Sequence, residues 1–217
     1  MLFHTYPPVT YDLAYLKSPF DDIIRTASEW LEPQGSAPPI LFEANFDRAL
    51  ETLFPMSEWR KLFIECDFGW TAVFTDNEEA PSGPVATLIR RIPCDGVIGL
   101  FSPGQPSLSK TLAAVQLWYY EGQAEFPNIS RAISVTEGDD GWEFHQSGTP
   151  FPFEDAAQYR KRAVKDRFTL EMLVDYLGQL GIDAVNGSRY GPRCALFDVP
   201  PDIARGRAML DRENSDG

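Results

Sequence analysis

A series of strand-forming segments in the middle of the chain, separated by turns rather than by long helices, constrains the fold most. Residues 70–75 are rich in aromatic and β-branched residues, residues 97–101 form an apolar run, and residues 113–120 alternate between two faces. Residues 133–144 predict a β-hairpin, because the Asp and Gly residues at 137–141 suit a tight reversal. Strands that follow one another in this way pair antiparallel, which predicts an α+β fold with a mainly antiparallel central sheet.

The helices of this fold are predicted in the N- and C-terminal parts of the chain. Apolar residues recur at helical spacing after Ser18-Pro19, after Asn45 and after Thr169, and these residue types favour helix starts. A shorter helix is predicted within residues 82–92. Three further elements complete the prediction: a strand at 62–66 beside the strand at 70–75, an edge strand at 194–199, and a short helix after Pro200-Pro201.

The size and composition of the chain predict a single domain. Its 217 residues are 43% hydrophobic and 24% charged, a balance that excludes a wholly disordered chain. A chain of this length is expected to form one domain, here over residues 1–210. A frayed polar tail is expected over residues 211–217.

The charge of the protein is strongly acidic and unevenly distributed. The formal net charge is −13, and residues 1–159 contain 9 basic and 23 acidic side chains. Residues 160–167, in contrast, contain five cations in eight positions. The negative net charge of the chain argues against direct binding to nucleic acid or to an anionic membrane, because both require clustered cations. It instead predicts a basic partner protein, since opposite charge accelerates encounter.

The sequence offers no targeting segment, metal site or cofactor motif. The first residues lack the basic and apolar regions of a secretory signal, and no apolar run approaches the ~18 residues of a membrane helix, so we expect a cytoplasmic protein. The cysteines at 66, 94 and 194 are widely spaced in apolar segments, which predicts buried, unreactive thiols. With only two histidines present, we expect no metal and no cofactor.

Candidate catalytic residues are few. The chain lacks the phosphate-binding loop, the dinucleotide-binding motif, the nucleophile elbow and the zinc-protease motif. His145 could act as a general base, because the pKa of imidazole lies near neutrality. An enzyme built on it would place His145 in one pocket with Arg131 and Glu154. The alternative is a surface or hydrogen-bonded structural histidine, and the missing motifs favour a role other than catalysis.

Two groups of residues are candidates for binding a partner. Trp118 and Tyr120 share one face of the strand at 113–120, and such side chains are enriched in binding hot spots if that face is open. The alternative is a sheet that is covered on both faces. Arg160 and Arg162 belong to the local cluster of cations, which predicts either a contact with an anion or an acidic partner, or a solvated helix face.

These observations favour a protein-binding module over the other classes of function. The leading hypothesis is an inhibitor, an immunity-type factor or an adaptor that engages a basic partner protein. One alternative is an enzyme with an atypical site around His145, Arg131 and Glu154. Another is a nucleic-acid mimic, in which surface carboxylates imitate phosphates and occupy a DNA-binding protein.

Overall fold

The computed structural model describes residues 1–56, 60–76, 82–105, 111–122 and 129–198. Within these residues, nine strands form one sheet in which every pairing is antiparallel, so the predicted mainly antiparallel sheet is confirmed. The strands, numbered along the chain, are β1 (Asp12–Leu16), β2 (Ile40–Glu43), β3 (Arg60–Cys66), β4 (Thr71–Thr75), β5 (Gly96–Gln105), β6 (Thr111–Tyr120), β7 (Ile129–Gly138), β8 (Gly141–Gly148) and β9 (Tyr190–Asp198). Their order across the sheet is β2-β9-β3-β4-β1-β5-β6-β7-β8.

The strands in the middle of the chain follow the sequence prediction. The segments predicted at 62–66 and 70–75 pair with each other as β3 and β4, and those at 97–101 and 113–120 pair as β5 and β6. The predicted hairpin is β7 and β8, which turn at Asp139-Asp140. Local alternation and turn chemistry therefore identify these elements without knowledge of the fold.

Three strands differ from the prediction. Residues 190–198 form an inner strand, not an edge strand, because β2 pairs on the outer side of β9. β2 itself was not predicted, and neither was β1, which lies between β4 and β5 in the centre of the sheet. The sequence of β1 contains no β-branched residue and lies directly before a helix start, so its strand signal is weak.

Four α-helices pack on the sheet within the described residues, and none of them is long and apolar enough to cross a membrane. Asn45 caps the second helix by accepting a hydrogen bond from the Arg48 amide, and Thr169 caps the fourth through the Met172 amide. Pro19, rather than Ser18, precedes the first helix. The predicted helix after Pro200-Pro201 lies outside the described residues. The helices are α1 (Phe20–Leu31), α2 (Phe46–Glu51), α3 (Ser82–Ile89) and α4 (Leu170–Gln179).

The sheet has an apolar core on each face. One core contains residues of α2 and α4, and the other contains residues of α1 and α3. β6 contributes to both, because Leu117 is buried in the first core while its neighbour Trp118 packs against the second. The middle of the sheet is thus covered on both sides, whereas the outer strands β2 and β8 are mostly exposed.

The segment between β8 and α4 forms turns instead of the helix that its charged residues suggested. Its only regular elements are two 3₁₀ turns, Gln158–Arg160 and Val164–Asp166. This segment returns beneath β8 on the face of the first core, where the ring of Tyr159 lies 5.3 Å from that of Phe144.

The three cysteines are buried and free, as the sequence predicts. Burial raises the pKa of the Cys94 thiol to about 11 and that of the Cys194 thiol to about 11. Burial raises the pKa of Cys66 further. Because the thiolate is the reactive form, these side chains are chemically quiet in the folded protein.

Candidate interaction surfaces

Arg131 and Glu154, two of the candidate catalytic residues, form a buried ion pair. Their side chains are 2% and 1% exposed, and Arg131 Nη2 lies 2.5 Å from Glu154 Oε2. Arg131 Nε donates to the other carboxylate oxygen at 2.8 Å. The remaining guanidinium hydrogens meet the carbonyl oxygens of Ser147 and Gly148 and the side-chain oxygen of Gln146. Five acceptors therefore surround a group with five donors.

The carboxylate of Glu154 is equally well satisfied. It accepts hydrogen bonds from the Phe151 amide and from the Tyr159 hydroxyl, both at 2.8 Å. A further hydrogen bond links the hydroxyls of Tyr159 and Tyr176. Burial alone would raise the pKa of Glu154, but the hydrogen bonds from Arg131, Phe151 and Tyr159 outweigh burial and hold this pKa below its usual value.

This network ties the segment after β8 to the sheet. Arg131 lies on β7, Glu154 lies in the turn that follows β8, and Tyr176 lies on α4. Because every hydrogen of Arg131 has an acceptor, the guanidinium has no free donor with which to hold a substrate. The arrangement suits a structural strut that holds residues 149–159 against β7, β8 and α4.

His145 lies apart from this pair. Gln146 and Phe144 face the first core, since they contact Arg131 and Tyr159 respectively, and alternation along β8 turns His145 to the opposite face. There its ring is 69% exposed, and Nε2 lies 3.1 Å from Glu143 Oε2, also an exposed group. The structure thus brings Arg131 and Glu154 together but not His145. Two concave sites, of about 270 and 290 Å³, are lined by none of these three residues.

Trp118 and Tyr120 face the second core. Tyr120 is 5% exposed, and Trp118 is half-buried against that core. The sheet is therefore covered on both faces at β6, which was the alternative considered for this strand. A partner could reach only the exposed part of Trp118, so the role of these two residues in binding stays a prediction.

The charged segment after the buried pair forms a basic surface. In the described part of the chain, no carboxylate lies within ion-pair distance of its exposed cations. Arg167 differs, because its guanidinium donates to the Lys161 carbonyl oxygen at 2.8 Å and lies 5.8 Å from the centre of the Phe144 ring. Arg167 thus ties this turn to β8, and Lys165 lies in the 3₁₀ turn Val164–Asp166, which packs against β8 and β7. We call the exposed cations the basic segment: Arg160, Lys161, Arg162 and Lys165.

β8 ends the sheet beside the basic segment. Within the ranges that the structure covers, no strand pairs with its outer side. Seven of its eight residues are exposed, and only Phe144 is half-buried. The outer side of such an edge strand carries backbone donors and acceptors that a further strand could use.

β2 ends the sheet on the opposite side and has a different character. Ile40 is 61% exposed and Leu41 is 65% exposed, although they point to opposite faces of the strand. Exposed carboxylates flank this strand: Glu43 at its end, Asp47 in the first turn of α2, and Asp198 at the end of the neighbouring β9. None of these three lies within ion-pair distance of a described cation, although Arg193 stands opposite Glu43 and Arg60 stands opposite Asp198 in the strand register.

Among the described residues, no backbone group bonds to the outer side of β2. The Ala44 amide donates to the Pro192 carbonyl oxygen at 2.8 Å and so faces β9. Because backbone groups alternate between the two sides of a strand, Phe42 and Ile40 also face β9, and the backbone N–H and C=O of Leu41 and Glu43 point outwards. Sequence reasoning missed this surface, because a four-residue segment after Pro38-Pro39 carries little strand signal of its own.

Comparisons with known proteins add no relative. No family model, no curated protein and no solved structure matches this chain.

Proposed function

We propose that the protein is a binding module that engages a basic partner protein through the outer side of β2. The observation that carries this proposal is the combination, at one edge of the described sheet, of two exposed aliphatic side chains and three flanking carboxylates that lie outside ion-pair distance of the described cations. Natural proteins usually cover or charge such edges, because an exposed apolar edge recruits other strands.

The chemistry of β2 specifies the partner segment. An extended chain added to β2 would use the outward backbone groups of Leu41 and Glu43, which supply affinity without sequence preference. Ile40 and Leu41 flank that added strand on its two faces and favour aliphatic neighbours. Glu43, Asp47 and Asp198 favour Lys or Arg, and the net charge of −13 would accelerate the encounter with such a partner.

A second copy of this chain fits the same edge less well. In a symmetric antiparallel pairing of two β2 strands, the Glu43 end of one copy would lie at the Ile40 end of the other copy, beyond which that copy's Asp198 lies. Like charges opposite each other are unfavourable in a sheet. An inhibitor or adaptor that takes a basic segment of a different protein avoids this repulsion.

The proposal is tested with fluorescent extended peptides of ten residues that alternate Val with Lys, Thr or Glu. We expect fluorescence anisotropy to give tighter binding for the Lys peptide than for the Thr peptide, with the difference reduced at high salt. Glu43→Lys should weaken binding of the Lys peptide about fivefold, as expected for surface charge pairs. Leu41→Pro should weaken binding of all peptides at this edge, because it removes an outward N–H.

The matched control is Asp175→Lys, which changes the net charge equally on the exposed side of α4, away from β2. Equal weakening by Asp175→Lys and Glu43→Lys would show that only overall charge matters and would overturn the proposal. So would equal affinity for the Lys and Thr peptides. A dimer seen by light scattering and dissociated by Leu41→Pro would assign the edge to a second copy instead.

A further inference from the structure

The basic segment and the outer side of β8 lie together at the far end of the sheet from β2. We infer that they form a second docking surface, which binds an acidic, extended segment of a partner protein as a strand added to β8. This inference does not depend on the proposed function of β2, because the two edges are separated by seven intervening strands.

The charge of the basic segment is the first argument. Elsewhere in the described chain, most exposed arginines lie against carboxylates, as Arg25 does with Asp22 and Arg189 does with Asp67, although Arg91 is exposed without an ion pair. The basic segment has four exposed cations without such a partner, in a protein whose net charge is −13. Unneutralised cations at one place on an acidic protein create a local field that attracts a negatively charged ligand.

The rigidity of the turn that carries these cations is the second argument. The buried Arg131–Glu154 pair and the Tyr159 hydroxyl hold the beginning of the turn, and Arg167 closes it through the Lys161 carbonyl oxygen. The backbone positions of Arg160, Lys161 and Arg162 are therefore set before a ligand arrives. Preorganisation of this kind lowers the conformational entropy that binding would otherwise cost.

The position of the turn beside β8 is the third argument. Val164–Asp166, which includes Lys165, packs mainly against β8 and also against β7, and Arg167 lies over the ring of Phe144 on β8. A strand added to the outer side of β8 would run next to the basic segment, so its acidic side chains on that face could pair with the cations. The backbone ladder and the charge pairs would then act on one ligand.

An acidic peptide fits this surface better than a nucleic acid. The basic segment has only four exposed cations, and Asp139 and Asp140 are exposed carboxylates at the β7–β8 turn, the end of the strand that carries this surface. A nucleic acid carries dense charge along its whole length and would be repelled by the acidic remainder of the protein. A peptide can confine its negative charge to the few residues that meet the basic segment.

The test uses the full chain and labelled ten-residue peptides that alternate Val with Glu or Val with Thr. We expect the Glu peptide to bind more tightly than the Thr peptide. The variant R160Q/R162Q should weaken binding of the Glu peptide about fivefold, since each surface pair contributes a small amount. The control R25Q/R48Q removes the same two charges from exposed helical sites and should leave this affinity unchanged.

Strand addition is tested separately by methylating alternate amide nitrogens of the Glu peptide, in the two possible patterns. An added strand uses only every second amide for the ladder, so one pattern should weaken binding by about tenfold or more and the other should not. Equal affinity for both patterns and the unmodified peptide would overturn strand addition. Tighter binding of a single-stranded oligonucleotide of equal charge, or equal effects of R25Q/R48Q and R160Q/R162Q, would overturn the assigned ligand.

The outcomes for the two edges are distinguishable. Failure of the Lys peptide to depend on Glu43 would remove the proposed function of β2 and leave the result for the Glu peptide intact. Failure of the Glu peptide to depend on Arg160 and Arg162 would remove the inference about β8 alone.

Discussion

The substitution Glu154→Gln tests the structural role of the buried Arg131–Glu154 pair. It keeps the size of the side chain but removes the charge that faces a guanidinium only 2% exposed. The amide nitrogen of Gln must also occupy the position of an oxygen that accepts from Arg131 or from another donor, which adds a clash between donors. We expect the free energy of unfolding to fall by about 3–5 kcal/mol, which is the usual cost of leaving a buried charge unpaired.

This cost is large compared with the total stability of a domain, which is about 5–15 kcal/mol. With a urea m value of about 2–3 kcal/mol/M for a chain of this size, the midpoint of urea unfolding should fall by about 1.5 M. Tryptophan fluorescence and far-UV circular dichroism, recorded on the same samples, measure this shift and check that unfolding is two-state.

Two further variants make the interpretation specific. Asp22→Asn breaks the exposed Arg25–Asp22 pair and should cost less than about 1 kcal/mol. Combining Glu154→Gln with Arg131→Met removes the buried unpaired charge and should recover part of the lost stability. If Glu154→Gln shifted the midpoint no more than Asp22→Asn does, the pair would not hold this segment, and the reasoning would be refuted.

The pH dependence of the same pair has a defined sign. The pKa of Glu154 is lowered from 4.5 in the folded protein, although burial opposes this, because the hydrogen bonds from Arg131, Phe151 and Tyr159 prevail. Its contribution to stability is therefore complete above pH 4.5 and is lost as the pH falls through the lowered folded pKa. The Glu154→Gln variant should lose less stability than the native protein over this acidic range.

Three other perturbations have expected outcomes that the structure defines. Burial raises the pKa of Asp12 from 3.8 to about 7, and its Oδ1 has no hydrogen-bond partner in the described part of the chain, so ionisation of this carboxyl lowers the stability of the fold progressively as the pH rises from 3.8 to about 7. Asp12→Asn should thus stabilise the protein at pH 8, by at most about 4 kcal/mol, and matter little at pH 4, as measured by urea unfolding; an equal effect at both pH values would contradict this. In thermal unfolding, Gly148→Ala should be far more destabilising than Gly141→Ala. Both glycines have positive φ, but an added Cβ at position 148 would lie 1.8 Å from the Ser130 carbonyl oxygen, whereas an added Cβ at position 141 would have no atom within 4 Å. The three cysteines should react with a thiol reagent only as fast as the protein opens, and rapid labelling of the native protein at pH 8 would contradict their burial.

Much of the fold follows from local sequence. The cap at Thr169, the turn at Asp139-Asp140 and the alternation of β6 each depend on residues within a few positions of one another. These signals act before distant contacts form, so helical periodicity and turn chemistry identify their elements correctly. The antiparallel character of the sheet follows from the short connections between such strands.

The order of the strands and the sites depends on contacts between distant residues. β9 pairs between β2 and β3, and no local feature of residues 190–198 distinguishes an inner from an outer position. The positions of the candidate site residues also depend partly on local sequence and partly on distant contacts. Alternation along β8 separates His145 from Arg131, but the pairing of Arg131 with Glu154 requires a return of the chain over 23 positions.

The sequence by itself determined the acidic charge, the cluster of cations at 160–167 and the main strand and helix segments, because these are properties of neighbouring residues. Only the tertiary structure decided that β2 carries exposed Ile40 and Leu41 at one edge and that the basic segment lies beside β8 at the other. The physical reason is that burial and pairing are set by the whole sheet: a side chain becomes available to a partner only where no other part of the chain covers it.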